Sequence, residues 1–260
     1  VFCVRRGFAL WGGVARAEAK GRAAKRGRAE AASPRRRPLW WRILRVPVLA
    51  LAGAWVLLLL LVALFAWVNP PQGLYMRAEA ARLGAPVARA WVGLDAIAPV
   101  MARSAVAAED ANFCLHWGFD MAAIRSALDE GRGRGASTIT QQVVKNVFLW
   151  HGRTWTRKAL EAVITPVVEA FWSKRRILEV YLNVAEFDAG VFGVQAAAGH
   201  YFGTTADRLT PQQAARLAAI LPAPKSRDAA NPSRFVRTRA AAIVDGAETI
   251  RRDGRAACFE

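Results

Sequence analysis

The sequence predicts a mostly α-helical protein preceded by one transmembrane helix. Three observations lead there. Residues 46–68 run for 23 positions without a charge. Apolar residues recur at helical spacing through most of residues 75–260. No alternating apolar and polar run is long enough to mark a strand, so any strands are short ones that leave no pattern. The length of 260 residues allows one or two domains, and 54% hydrophobic against 22% charged residues excludes a disordered polyelectrolyte.

The formal net charge is +17, and 13 of the 37 lysines and arginines fall within residues 1–45. That stretch reads as a cytoplasmic N-terminal arm, disordered over residues 1–34. No aromatic interleaving or known module accompanies its charge, so no nucleic-acid partner is expected, and the arm is read as a topology signal beside acidic lipids. As helix, residues 46–68 extend about 34 Å against a hydrocarbon core of about 30 Å. Arg35, Arg36, Arg37, Arg42 and Arg45 precede the span, and the next cation beyond it is Arg77. This bias holds the N-terminus in the cytoplasm and places residues 69–260 outside, on the far side of a membrane crossed once. Trp40, Trp41, Trp67 and Tyr75 sit where interfacial aromatics are enriched. A cleaved signal peptide is the rival reading, but the basic lead and the apolar run are both long for one. Cys3, Cys114 and Cys258 are too few for a disulfide framework and too far apart for a metal knuckle, so they say little about compartment. Cys114 is expected to be a small buried side chain.

Beyond the span, Asp120 caps a helix carrying Met121, Ile124 and Leu128, which Gly131 stops; GRGRG at 131–135 reads as a mobile basic loop. Ser137 or Thr138 caps the next, with Ile139, Val143 and Val147 on its apolar stripe and Thr138, Gln142 and Lys145 on another face. Leu160, Val163, Ile164, Val167, Val168 and Phe171 define a third helix, which Pro166 should kink. Ile177, Leu178, Tyr181 and Leu182 mark a fourth. Thr210 to Gln213 forms a capping box for a helix running through Leu221, closed by Pro222.

Three clusters carry candidate chemistry. Residues 107–120, AAEDANFCLHWGFD, set Glu109, Asp110 and His116 among apolar groups, where a carboxylate gains the basicity that proton abstraction requires; taken alone, such a pair is more often solvated or capping. In GASTITQQVVKN, residues 135–146, Thr138, Gln142 and Lys145 offer a hydroxyl, an amide and a point charge to a phosphate. In RTWTRKALEAV, Arg157 and Glu161 stand at i, i+4 beside Lys158, an arrangement equally consistent with an ordinary ion pair. Together they suit chemistry on an anionic, lipid-linked substrate at the outer membrane face.

The strings EDANFCLHWGFD, GASTITQQVVKN, RKALE, KRRILEVYLN and GVFGVQAAAGHYFG occur in order, and in that order they resemble the signature motifs of the peptidoglycan glycosyltransferases over roughly residues 75–250. No SxxK or KTG of a penicillin-binding transpeptidase accompanies them, so the resemblance is to the monofunctional branch. It implies a lysozyme-like glycosyltransferase lobe with a smaller membrane-associated lobe, together forming a periplasmic domain over residues 69–260. The implied reaction is polymerisation of lipid II into glycan strands with inversion at the anomeric carbon and release of undecaprenyl pyrophosphate. Position by position, Glu109 matches the general base and Glu161 the second functional carboxylate. Ser137, Thr138, Gln142, Lys145, Asn146, Arg157 and Lys158 match positions around the sugar and pyrophosphate. Asp110 matches a supporting position, Phe113 and His116 structural or positioning ones, and Glu169, Glu179 and Asn183 scaffold. No metal site or required cofactor is implied, with Mg2+ or Mn2+ an optional helper for the pyrophosphate. The expected partners are lipid II, the growing glycan strand, the membrane and other cell-wall synthesis or division proteins. Two rivals remain: a lytic, lysozyme-like hydrolase, which has no need of pyrophosphate-binding cations, and a non-catalytic membrane-anchored scaffold.

Overall fold

The computed structural model describes residues 39–129, 137–152 and 154–260. The basic arm 1–34 and the GRGRG segment lie outside the described residues. The chain divides into two compact units, Val1–Gly53 and Ala54–Glu260. In the first, the described residues are the opening turns of helix α1 (Leu39–Phe65). Its stretch Leu44–Phe65 is long and apolar enough to cross a bilayer, with mean hydropathy 2.9. Val46, Leu49 and Leu51 lie open on its surface, as side chains facing lipid do.

Within the second unit, α1 ends at Phe65, three residues before the predicted span 46–68 does. Arg176 accounts for the stop: it donates from Nε to the Phe65 carbonyl (3.1 Å) and from Nη2 to the Val68 carbonyl (2.9 Å), and Pro70 and Pro71 follow. Helix α2 (Leu74–Leu83) comes next, then β1 (Ala88–Arg89). Strand β3 (Val191–Phe192) lies between β1, which it pairs in parallel, and β2 (Glu186–Asp188), which it pairs antiparallel. Strands of two or three residues cannot display a period of two, which is why the sequence leaves them invisible.

The helices fall into two packed groups. Helix α3 (Pro99–Glu109), with Pro99 in its first turn, packs on α9 (Pro211–Ile220) and α10 (Arg234–Arg252). Helix α3 is short and rich in alanine; Met101, Ala102, Ala105 and Val106 are all buried. In the other group, α5 (Ile139–Phe148) packs on α6 (Trp155–Phe171) and α7 (Lys174–Val184). Helix α4 (Met121–Asp129) is capped by Asp120, whose Oδ1 accepts from Ala123 N at 2.9 Å, and α8 (Val194–Phe202) follows β3. Helix α6 continues past Pro166 to Phe171. Helix α7 is the central element, with Ile177, Leu178, Val180, Tyr181, Leu182 and Asn183 all buried.

Two cysteines require a correction. Cys114 and Cys258 form a disulfide across 144 residues of sequence, tying the loop after α3 to the segment after α10. Counting and spacing along the chain missed it because the fold, not the sequence, makes the two neighbours. Tyr75 also makes a contact that the sequence did not suggest. It lies half-buried on α2, where its hydroxyl donates to Glu186.

Candidate active site

Glu109 is the last residue of α3, and Gln142, one turn into α5, reaches it with an Nε2 to Oε2 hydrogen bond of 2.9 Å. The site therefore lies where the two helix groups meet. Burial pushes the Glu109 carboxyl above its usual pKa, and the Gln142 bond and the charges of Arg239 and Lys145 offset only part of that. Asp110, the C-cap of α3, fixes this corner. Its Oδ2 accepts from Ile139 N at 3.0 Å, and its Oδ1 lies 2.7 Å from His116 Nε2. Phe113 is wholly buried, with Lys174 over its ring at 4.5 Å, so its contribution is to packing beneath the site.

Thr138 and Gln141 make a capping box at the start of α5, and the Thr138 hydroxyl donates to the Gly118 carbonyl at 2.7 Å. Gly118 is required there. Its φ is +82°, and a Cβ would come 2.6 Å from Thr165 Cγ2. Further along α5, the Lys145 ammonium has no hydrogen-bond or ion-pair partner among the described residues, and burial lowers its pKa against the opposing pull of Glu161 and Glu109. Glu161 is 3% exposed and holds two cations: Arg157 Nη1 at 2.6 Å on one oxygen and Lys158 on the other. Lys158 also donates to Ser137 Oγ at 3.1 Å, so Glu161 organises the two cations and, through Lys158, the approach to α5.

Two cavities flank the Glu109 to Gln142 contact. One of about 340 Å³ is lined by Gln142, Lys145, Asn146 and Tyr181 on one side and by Tyr75, His151, Glu186 and Lys225 on the other. The second, about 300 Å³, is lined by Glu109, Asp110, Asn112, Asp120, Ser137 and Thr138. Phe113, His116, Arg157, Lys158 and Glu161 line neither. Glu169, Glu179 and Asn183 are fastened elsewhere: Glu169 to Thr140 and Lys174, Glu179 to Leu94 N, and Asn183 to both backbone groups of Val92.

The transglycosylase family profile matches residues 77–248, which enclose both cavities apart from Tyr75. The chain belongs to the transglycosylase family. It is 61% identical over 207 residues to the biosynthetic peptidoglycan transglycosylase of Jannaschia sp. (strain CCS1), spanning 80% of this chain and 86% of that protein. It is 47% identical over 223 residues to the protein of that name in Rhodospirillum centenum (84% and 96%), and 49% identical over 191 residues to the one in Pseudomonas putida strain KT2440 (70% and 81%).

The transglycosylase site also holds residues that sequence reasoning did not single out as part of it. Tyr75 stacks on His151 with ring centroids 3.4 Å apart. Lys225 bridges Glu79 (2.8 Å) and Glu186 (3.4 Å). Burial and the carboxylate of Glu186 push the Tyr75 phenol up to about 12, while burial and the nearby charges of Lys145, Arg157 and Lys225 bring His151 down to about 4. Both are therefore neutral at pH 7, and they add an aromatic face beside Glu186 and Lys225 on this wall of the transglycosylase cavity. Arg239 on α10 donates to the Ala108 carbonyl at 3.2 Å and places its charge near Glu109. No sequence signal joins residues 75, 186 and 225, which converge only through the fold.

Proposed function

We propose that this transglycosylase acts in cell-wall biosynthesis by polymerising lipid II into glycan strands. Glu109 takes the proton from the acceptor sugar's 4-hydroxyl as that oxygen attacks the anomeric carbon of the lipid-linked donor from the face opposite the leaving group. The new glycosidic C–O bond forms as the bond to the diphosphate breaks, configuration inverts, and undecaprenyl pyrophosphate departs with the electron pair. Lys145 is the cation nearest the departing charge, and Arg157 and Lys158, arrayed on Glu161, extend the positive field around it. The observation that carries this reading is a base of raised pKa, held by Gln142, beside a cavity presenting an ammonium with no partner among the described residues. A neutral finished glycan has no use for that ammonium, which argues against lytic cleavage.

The reaction needs no cofactor, and Mg2+ or Mn2+ would assist only by binding the diphosphate oxygens. The growing glycan is the second substrate, and proteins of cell-wall synthesis or division would recruit the enzyme. The catalytic unit is placed in the periplasm, with the N-terminus in the cytoplasm. The arginines before the span support that orientation, and so does the disulfide, since such bonds persist in oxidising compartments. Incubating the purified full chain in detergent with lipid II, and separately with polymerised glycan, tests the reaction. Chain growth from the first and no cleavage of the second is expected; cleavage without growth would reverse the assignment.

A further inference from the structure

Tyr181 sits on the central helix α7 and is 0% exposed. Among the described residues five buried side-chain polar atoms lack a hydrogen-bond partner, those of Arg89, Ser104, His116, Tyr181 and Arg239, and of these residues only Tyr181 lines the cavity that holds Gln142 and Lys145. A phenylalanine would fill the same volume without leaving a hydroxyl unpaired, so the fold gains nothing from this oxygen. The carboxylates that act on it electrostatically are Glu109 and Asp110. Both oxygens of Asp110 are engaged by His116 and Ile139, and Glu109 is engaged by Gln142. Burial together with those two charges holds the phenol protonated, well above its ordinary range, which keeps it a donor. Its acceptor has to enter with a ligand. Gln142 and Lys145, which line the same cavity, have long side chains that can shift to admit one.

We propose that Tyr181 contacts the substrate directly, its hydroxyl donating a hydrogen bond to an oxygen of the saccharide diphosphate bound between Glu109 and Lys145. This rests on the lipid-linked substrate proposed above, and it adds a contact from α7 to those from α3 and α5. The geometry suits an oxygen lone pair brought into the cavity that Tyr181 lines.

The test compares wild type with Tyr181→Phe as full chains in detergent, measuring thermal melting, lipid II affinity and polymerisation. Tyr181→Phe should melt at the wild-type temperature or above it, because it removes an unpaired buried hydroxyl, while kcat/KM falls about 10- to 100-fold, as loss of one substrate hydrogen bond does. Unchanged kcat/KM would overturn the contact. So would earlier melting in step with lost activity, which would show the hydroxyl serving the fold. If wild type itself made no glycan, the proposed reaction would fall instead, and the contact would then be read from lipid II affinity: weaker binding by Tyr181→Phe supports it, and equal binding overturns it.

Discussion

Gln142 Nε2 donates to Glu109 Oε2 at 2.9 Å, joining the body of α5 to the last residue of α3. The bond aims the carboxylate and tempers the effect of its burial, since a donor to a carboxylate favours the charged form.

Gln142→Leu removes that donor, so the Glu109 pKa should rise further. The acidic limb of the kcat/KM profile for lipid II should move to higher pH, with about a tenfold loss at neutral pH that narrows under alkaline conditions. A limb that stays in place would show that Gln142 does not tune this carboxylate.

Lys145→Ala should reduce polymerisation by about 10- to 1000-fold, the range expected for one charge-assisted contact to an anionic donor. Lys145→Arg should recover only part, because a planar fork does not replace a point charge. The lowered pKa of Lys145 means that burial disfavours its charge relative to the unfolded chain, so at neutral pH that charge opposes folding and Lys145→Ala should not melt earlier for loss of charge. Steady-state rates alongside melting curves check both statements.

Glu161→Gln should release Arg157 and Lys158 from their shared anchor. Lipid II binding should weaken as well as turnover, and the protein should melt earlier because the largely buried Arg157 side chain loses its carboxylate. Binding that matched wild type would confine Glu161 to a purely structural part.

Reducing the Cys114 to Cys258 bond removes a cross-link across 144 residues, and a loop of that size gives a stability loss of about 2–5 kcal/mol. Dithiothreitol should lower the melting temperature of wild type and leave the Cys114→Ser/Cys258→Ser variant, already less stable, unaffected. Peptide mapping after thiols are blocked at cell lysis should recover residues 114 and 258 joined. Finding both as free, blocked thiols would contradict placement of this unit outside the cytoplasm.

Helices α5 and α9 were legible because Thr138 with Gln141 and Thr210 with Gln213 announce them locally, and α7 because its apolar positions keep helical spacing. Helix α3 leaves no such mark, because its many alanines blur the contrast on which periodicity depends. The grouping of Thr138 with Gln142 and Lys145 treats residue 138 as helical. As N-cap it turns back over the helix end, where its hydroxyl serves Gln141 N and the Gly118 carbonyl. Glu109 and Gln142 stood out by motif, but their hydrogen bond and the far wall of Tyr75, His151, Glu186 and Lys225 depend on contacts between distant segments. The disulfide stayed hidden for the same reason.

Glu109→Gln is the most direct test of the base assignment. A carboxyl with a raised folded-state pKa contributes stability below its unfolded pKa and loses it as pH rises through the folded one, so at neutral pH the ionised group works against folding. The glutamine variant should therefore melt no earlier than wild type at pH 7 and should still bind lipid II, since it keeps the shape of the side chain. The decisive measurement is glycan formation from lipid II by this folded, binding-competent variant. Complete loss of polymer is the expected result, and polymerisation at the wild-type rate would contradict Glu109 as the base.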